Sequence, residues 1–99
     1  MMRVRYKLWL EHKGEPLLGE GRYSILKLLE ETNSVQRTAA VLSIAPKTIY
    51  NYISRMESRL GKDILIAKKG GRLGGAKVFL TPAGKRLIAE YEEAKKRFR

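Results

Sequence analysis

The chain contains no cysteine and a single histidine, His12. Without thiols there are no disulfides, no thiolate nucleophile and none of the usual structural zinc sites. One imidazole in a polar turn reads as a solvated side chain, and it leaves no basis for Ser-His-Asp chemistry or a histidine-built metal centre. Acid is scarce as well: 10 Asp plus Glu stand against 21 Lys plus Arg, a formal charge of +11 and a pI near 10.2. Such a balance favours nucleic acid or an anionic membrane as partner. Long apolar runs are missing. No stretch approaches the roughly 20 residues of a membrane span, and the opening MMRVRYKLWLEH is broken by charge, so it has no signal-peptide core. A cytoplasmic protein that does not enter membranes is expected. Its 99 residues suffice for one domain, residues 1–99, and not for a second, separate sensor domain. No internal repeat or linker is visible. No cofactor and no metal site are expected, the scattered carboxylates offer no nucleophile and base pair, and no enzymatic activity is expected.

What the sequence does contain centres on residues 34–61, SVQRTAAVLSIAPKTIYNYISRMESRLG. Ser34 is a good N-cap for a short helix from Val35 to Leu42, and Ala39 and Ala40 allow another helix to cross closely. Ser43, Ile44 and Ala45 make a connection in which Ile44 plugs the gap between helices. Pro46 suits the first position of the next helix, because its φ is already helical and its missing N–H has no partner there. Gly61 ends that helix just past Leu60. Ile49, Ile53, Met56 and Leu60 recur at spacings of four, three and four and form one buried stripe. Lys47, Thr48, Asn51, Arg55 and Ser58 then share the opposite face, with Tyr50 and Tyr52 at its edges. Arg and Lys reach guanine, Asn reaches adenine, and Thr offers a hydroxyl and a methyl. No acid occurs between Glu31 and Glu57 to repel a phosphate. The layout is that of a helix-turn-helix.

The flanks complete the pattern. Residues 3–10 alternate, with Val4, Tyr6, Leu8 and Leu10 on one side and Arg3, Arg5, Lys7 and Trp9 on the other. Period two predicts a half-buried strand that turns at Lys13-Gly14 into a short return strand near Pro16 to Gly19, an N-terminal β-hairpin over residues 1–20. Trp9 falls on the nominally wet face, so either another helix of the fold or a second subunit covers it. From Gly21 to Thr32 the run predicts a support helix closed by Asn33. It completes a three-helix core over residues 21–61 and carries two apolar seams, Leu26 with Leu29 and Ile25 with Leu28, one of which is free for a second subunit.

After Gly61, Asp63 to Ala67 and Lys77 to Leu80 read as strands bracketing KKGGRLGGA, a hairpin over residues 63–80 with a glycine-rich tip. Those glycines do not make a phosphate-binding nucleotide loop, because no G-x-x-x-x-G-K-[ST] string lies between a strand and a helix. The tip is either a floppy turn or, with Lys68, Lys69, Arg72 and Lys77 and no acid from Ile64 to Ala89, a basic wing suited to a phosphate backbone or a minor groove. Thr81 and Pro82 start a last helix of about 17 residues, roughly 25 Å long at ~1.5 Å per residue, more than so small a body requires. Its stripe of Leu87, Ile88, Tyr91, Ala94 and Phe98 does not fade toward the end. Residues 82–99 are therefore expected to dimerise, with Ile25, Leu28, Leu87, Tyr91, Ala94 and Phe98 at the interface; the bland alternative is a frayed terminus.

The fold class read from this order is mostly α with small β, a winged helix-turn-helix with an N-terminal β-hairpin, a β-hairpin wing and a long C-terminal helix. In this order, the Ser34 to Leu42 helix with its Ala39-Ala40 pair, the I-x-x-M-E-x-x-L-G ending from Ile53 to Gly61, and the L-T-x-A-G from Leu80 to Gly84 resemble the winged-helix domain of LysR-type and molybdate-responsive ModE-type regulators. The resemblance is strong over about two thirds of the chain, and the glycine-rich hairpin and N-terminal strand pair look closer to the ModE branch. It implies a transcription regulator that binds double-stranded DNA as a homodimer. Ser34, Gln36 and Arg37 would touch the backbone, and Pro46, Lys47, Thr48, Tyr50 and Asn51 would read bases. The sequence stops where those proteins continue into an effector-binding domain, so no small-molecule effector site is evident and no oxyanion pocket is assumed. A different reading keeps the fold and makes it an architectural or transcription-assembly module without base preference. RNA binding ranks third, since Tyr50 and Tyr52 lie on a helix edge and not on a sheet platform.

Overall fold

The computed structural model describes residues 2–69 and 77–98. Two short strands, β1 (Leu10–His12) and β2 (Glu15–Leu18), lead into three helices, α1 (Glu20–Thr32), α2 (Val35–Leu42) and α3 (Pro46–Leu60). A second antiparallel pair, β3 (Leu65–Lys68) and β4 (Lys77–Leu80), precedes the last helix, α4 (Pro82–Arg97). The arrangement is the expected winged helix-turn-helix with a hairpin at its N-terminus.

Each helix boundary follows from a local cause. Ser34 accepts from the Arg37 N–H at 3.1 Å and caps α2, Pro46 opens α3, and Thr81 accepts from the Gly84 N–H at 3.1 Å to cap α4. Asn33, Ser43 and Gly61 close α1, α2 and α3 in the left-handed region, with φ of 54°, 56° and 74°. Asn33 does more than close a helix. Its side-chain amide donates to the Val78 carbonyl at 3.0 Å while the Val78 N–H donates to the Asn33 carbonyl at 3.0 Å, so the end of α1 is tied to β4 by two bonds. At the adjoining corner Thr38 is fully buried, and its hydroxyl is satisfied by Thr32 Oγ1 at 3.0 Å.

Ile25, Leu26 and Leu29 of α1 form the centre of the core. Ile49, Ile53 and Met56 of α3 join them, with Val78 and Leu80 of β4 and Leu87, Ile88 and Tyr91 of α4. This placement corrects part of the interface expectation. Ile25, Leu87 and Tyr91 are 3%, 4% and 1% exposed and serve the chain's own core, because α1 packs against α2, α4, β2 and β4 at once. Leu28 and Ala94 are half-buried, and Phe98 remains 59% exposed.

The N-terminal expectation also changes. The turn at Lys13-Gly14 is present, with φ of 51° and 81° and His12 opposite Glu15, the geometry of a two-residue hairpin loop. Pairing, however, begins only at Leu10. The return strand has four residues before α1 starts, so Arg3 to Trp9 find no ladder partner. They run beside α4 instead: the Tyr91 hydroxyl lies 3.1 Å from the Leu8 carbonyl, and the Tyr6 hydroxyl donates to the Phe98 carbonyl at 2.7 Å. Trp9 is left 49% exposed and donates from its indole to Glu11 Oε2 at 2.9 Å. The first wing strand likewise starts at Leu65, later than Asp63. The Ile64 and Leu65 N–H groups are both held by Glu57 Oε2 of α3, at 2.8 and 3.3 Å.

A polar seam joins α1 to α4. Tyr23 and Tyr91 stack with centroids 4.8 Å apart; the Tyr91 hydroxyl donates to Glu20 at 2.8 Å and the Tyr23 hydroxyl to Glu92 at 2.6 Å. These bonds hold the Glu20 and Glu92 carboxyls below their usual value of 4.5. Tyr23 is pushed up to about 12 by its bond to Glu92 and by burial, and Tyr91 to about 12 by burial and its bond to Glu20.

Three outcomes are expected. A Cβ at Gly84 would lie 2.7 Å from the Ile64 carbonyl, so Gly84→Ala forces α4 off the wing and lowers the unfolding free energy by about 1–3 kcal/mol in urea titrations. Glu57→Ala frees two wing amides, and hydrogen exchange at Ile64 and Leu65 speeds up relative to the α1 core amides. For the carboxyls, depressed in the fold, the stabilisation is present above about 4.5 and lost as pH falls through their lower folded values; for the tyrosines, raised in the fold, it is present below 10 and lost on rising toward about 12. Melting temperatures followed across pH should therefore fall at both ends, and the double variant Tyr23→Phe, Tyr91→Phe should show shallower limbs at each.

Candidate nucleic-acid interface

At ~100° per residue, α3 divides its surface into four sectors. Ile49, Ile53 and Met56 face the core. Directly opposite lie Lys47, Asn51, Arg55 and Ser58, all exposed. One edge carries Tyr50, 52% exposed, and Glu57; the other carries Thr48, Tyr52 and Arg59, all half-buried. The two edges are tied to different parts of the fold. Glu57 holds the start of the wing, as described above. On the other side Arg59 donates to the Pro16 carbonyl and pairs with Glu15 at 3.3 Å, while Arg22 lies 5.1 Å over the Tyr52 ring. The outward face of α3 is thus fixed in rotation between wing and N-terminal hairpin, which leaves Lys47 and Asn51 pointing to solvent.

Between α2 and the wing runs a cleft of about 620 Å³ whose lining includes Ser34, Gln36, Arg37, Tyr50 and Lys77. It brings together the start of α2, one edge of α3 and the base of the wing, three parts far apart in sequence. Gln36 and Arg37 are exposed at its rim, and Lys68 and Lys69 are exposed along the wing, with Lys68 5.4 Å over the Phe79 ring. Pro46 is exposed at the head of α3. Lys47, Asn51 and Arg55 do not line the cleft but lie along the free face of α3. Arg72, expected at the hairpin tip, lies outside the described residues.

Cations without ion-pair partners line this face. Among the described residues, Arg37, Lys47, Arg55, Lys68, Lys69 and Lys77 take part in no ion pair. The carboxylates Glu15, Glu20, Glu30, Glu90 and Glu92 instead neutralise Arg59, Lys95, Lys27 and Arg86 on other sides. An unneutralised row of cations is a standing invitation to a polyanion. No group of three or more His, Cys, Asp or Glu placed to hold a metal ion occurs among the described residues, and no described helix is long and apolar enough to cross a membrane.

Two residues that place this surface were not identified from sequence. Glu57 falls inside the I-x-x-M-E-x-x-L-G motif, which gives it no role, and the sequence around Asn33 predicts only a helix stop. Their partners are backbone groups seven and 45 positions away, which no local pattern announces.

Comparison with known proteins agrees with this geometry. Residues 22–85 match the model of the bacterial regulatory helix-turn-helix protein, lysR family. Over 74 residues the chain is 32% identical to the molybdenum-pterin-binding protein MopB of Rhodobacter capsulatus, and over 71 residues 32% identical to the transcriptional regulator ModE of Yersinia pestis. These alignments take in 75% and 72% of this chain but only 27% of each relative, so the chain spans about a quarter of their length. In fold it is similar to MepR of S. aureus, solved as a complex with DNA, at a TM-score of 0.61 and 13% identity over 82% of this chain and 59% of that one. It is also similar to ArgP of Mycobacterium tuberculosis, at 0.59 and 18% over 75% and 26%. The winged-helix resemblance seen in the motifs therefore holds, and the chain belongs to the lysR family of bacterial regulatory helix-turn-helix proteins, a family of regulators and not of enzymes.

Proposed function

We propose that the chain is a transcription regulator that binds double-stranded DNA as a homodimer, residues 46–60 in the major groove and the wing of residues 68–77 along the backbone or minor groove. The observation that carries this reading is the unpaired cation row on α3, α2 and the wing, set on a helix face whose rotation is locked from both sides. In this reading Lys47 and Asn51 meet base edges, with Pro46, Thr48, Tyr50 and Arg55 around them. Ser34, Gln36 and Arg37 at the start of α2, and Lys68, Lys69 and Lys77 of the wing, meet phosphates. Two copies would place their α3 helices about 34–36 Å apart in successive major grooves and select a pseudo-palindromic site. The surface available for that pairing is the exposed aromatic group of Tyr6, Trp9 and Phe98 at the junction of the N-terminal segment and α4.

Selection from random duplex DNA tests the proposal, with sedimentation of the same sample read alongside. A recovered motif with two-fold symmetry and a dimeric mass support it. A pool that returns no motif supports the architectural reading instead. Lys47→Ala or Asn51→Ala should cost about 1–3 kcal/mol on the selected site and relax base preference there, whereas Lys69→Ala should weaken all sequences alike and reduce the salt slope by about 1. Uniform weakening by all three variants would refute sequence-specific reading.

A further inference from the structure

Behind the free face of α3, a groove of about 460 Å³ opens between the N-terminal hairpin, the start of α1 and the turn joining α2 to α3. That volume falls among small-molecule sites, roughly 300–1,000 Å³. Leu18, Ile25, Leu42, Ile44 and Tyr52 give it apolar walls, and Arg22 is the charged side chain of its lining. Arg22 is half-buried, and among the described residues it forms no ion pair with a carboxylate. Its guanidinium stacks over Tyr52 at 5.1 Å, and its one hydrogen bond, to the Leu17 carbonyl, is long at 3.4 Å. A guanidinium carries five N–H donors, so most of its capacity is unclaimed. Burial pulls its pKa down, and the charged neighbours Arg59 and Arg55 add repulsion. An apolar groove with one half-buried, uncompensated cation complements a ligand with an apolar body and one negative group.

We propose that this groove binds a small apolar carboxylate, its body against Leu18, Ile25, Leu42 and Ile44 and its carboxylate on Arg22. The planar fork of an arginine matches a carboxylate bidentately, and the anion would supply the counter-charge that the fold itself does not. Ile44 sits in the helix-turn-helix turn and Tyr52 on α3, so an occupant touches both segments that set the pose of the outward face. Gly21 lies on the rim, and a Cβ built there meets nothing within 4 Å, which lets a larger side chain narrow the mouth without disturbing the core.

The test is a titration of the full chain with naphthoate and, separately, with its neutral amide naphthamide, followed by backbone amide NMR in the absence of DNA. Its outcome is therefore independent of whether the chain binds duplexes. Expected are saturable shifts at Gly19, Gly21, Arg22, Ile44 and Tyr52 with naphthoate and about tenfold weaker binding of naphthamide. Arg22→Gln should erase that preference and Arg22→Lys should retain part of it. Gly21→Leu, which keeps the arginine, should weaken both ligands, and it decides the matter if Arg22→Gln does not fold. Equal affinity for acid and amide, shifts confined to the cation row of α3, or no saturation at millimolar ligand would each overturn the proposal.

Discussion

The structure depends on how α3 is held. Its apolar stripe of Ile49, Ile53 and Met56 anchors it to α1, but a stripe alone lets a helix roll by a few tens of degrees, since apolar contact is non-directional. Directional bonds remove that freedom. Glu57 grips two amides at the start of the wing on one edge, and Arg59 reaches Pro16 and Glu15 of the N-terminal hairpin on the other. The side chains farthest from the core are then displayed in one orientation, which is what a surface meant to meet a regular polymer requires.

The wing is held by a second set of bonds of the same kind. Asn33 exchanges two hydrogen bonds with Val78, Thr81 donates from its backbone and side chain to Ile64 and Asp63 at 2.9 and 2.6 Å, and Gly84 lets α4 start against the Ile64 carbonyl. Helix ends thus serve as joints. Asn33, Gly61 and Thr81 each terminate or begin a helix and stand beside the chain that must be positioned. The motif running from Leu80 to Gly84 has a physical content in these terms: a capping threonine, a proline compatible with a first turn, and a glycine where backbone meets backbone.

Charge is organised by neutralisation elsewhere. Glu15, Glu20, Glu30, Glu90 and Glu92 are engaged in ion pairs from the hairpin, α1 and α4, where Glu20 and Glu92 also bond the stacked Tyr23 and Tyr91. Arg37 of α2, Lys47 and Arg55 of α3 and Lys68, Lys69 and Lys77 of the wing are left without ion-pair partners among the described residues. Within a net charge of +11, these unpaired cations give a polyanion a row to meet on that side.

Local features of the sequence sufficed for most of what has a local cause. The bounds of α2 and α3, the hairpin turn at Lys13-Gly14, the caps Ser34 and Thr81 and the outward residues Lys47, Asn51, Arg55 and Ser58 all follow from periodicity and from backbone preferences within a few residues, and each appears in the fold; Thr48, expected on the same face, instead lies half-buried at its edge, about 100° from the core direction. Tertiary structure alone decided which apolar residues stay at the surface. The seams of α1 and α4 read alike along their length, yet Ile25, Leu87 and Tyr91 are enclosed while Phe98 is not, because enclosure depends on how many elements converge at a point. It decided the fate of residues 3–9 too: an alternating pattern needs a partner strand of equal length to become a ladder, and β2 is too short to provide one. The grips of Glu57 and Asn33 belong to the same class, since a side chain bound to distant backbone leaves no periodic trace in the chain that carries it.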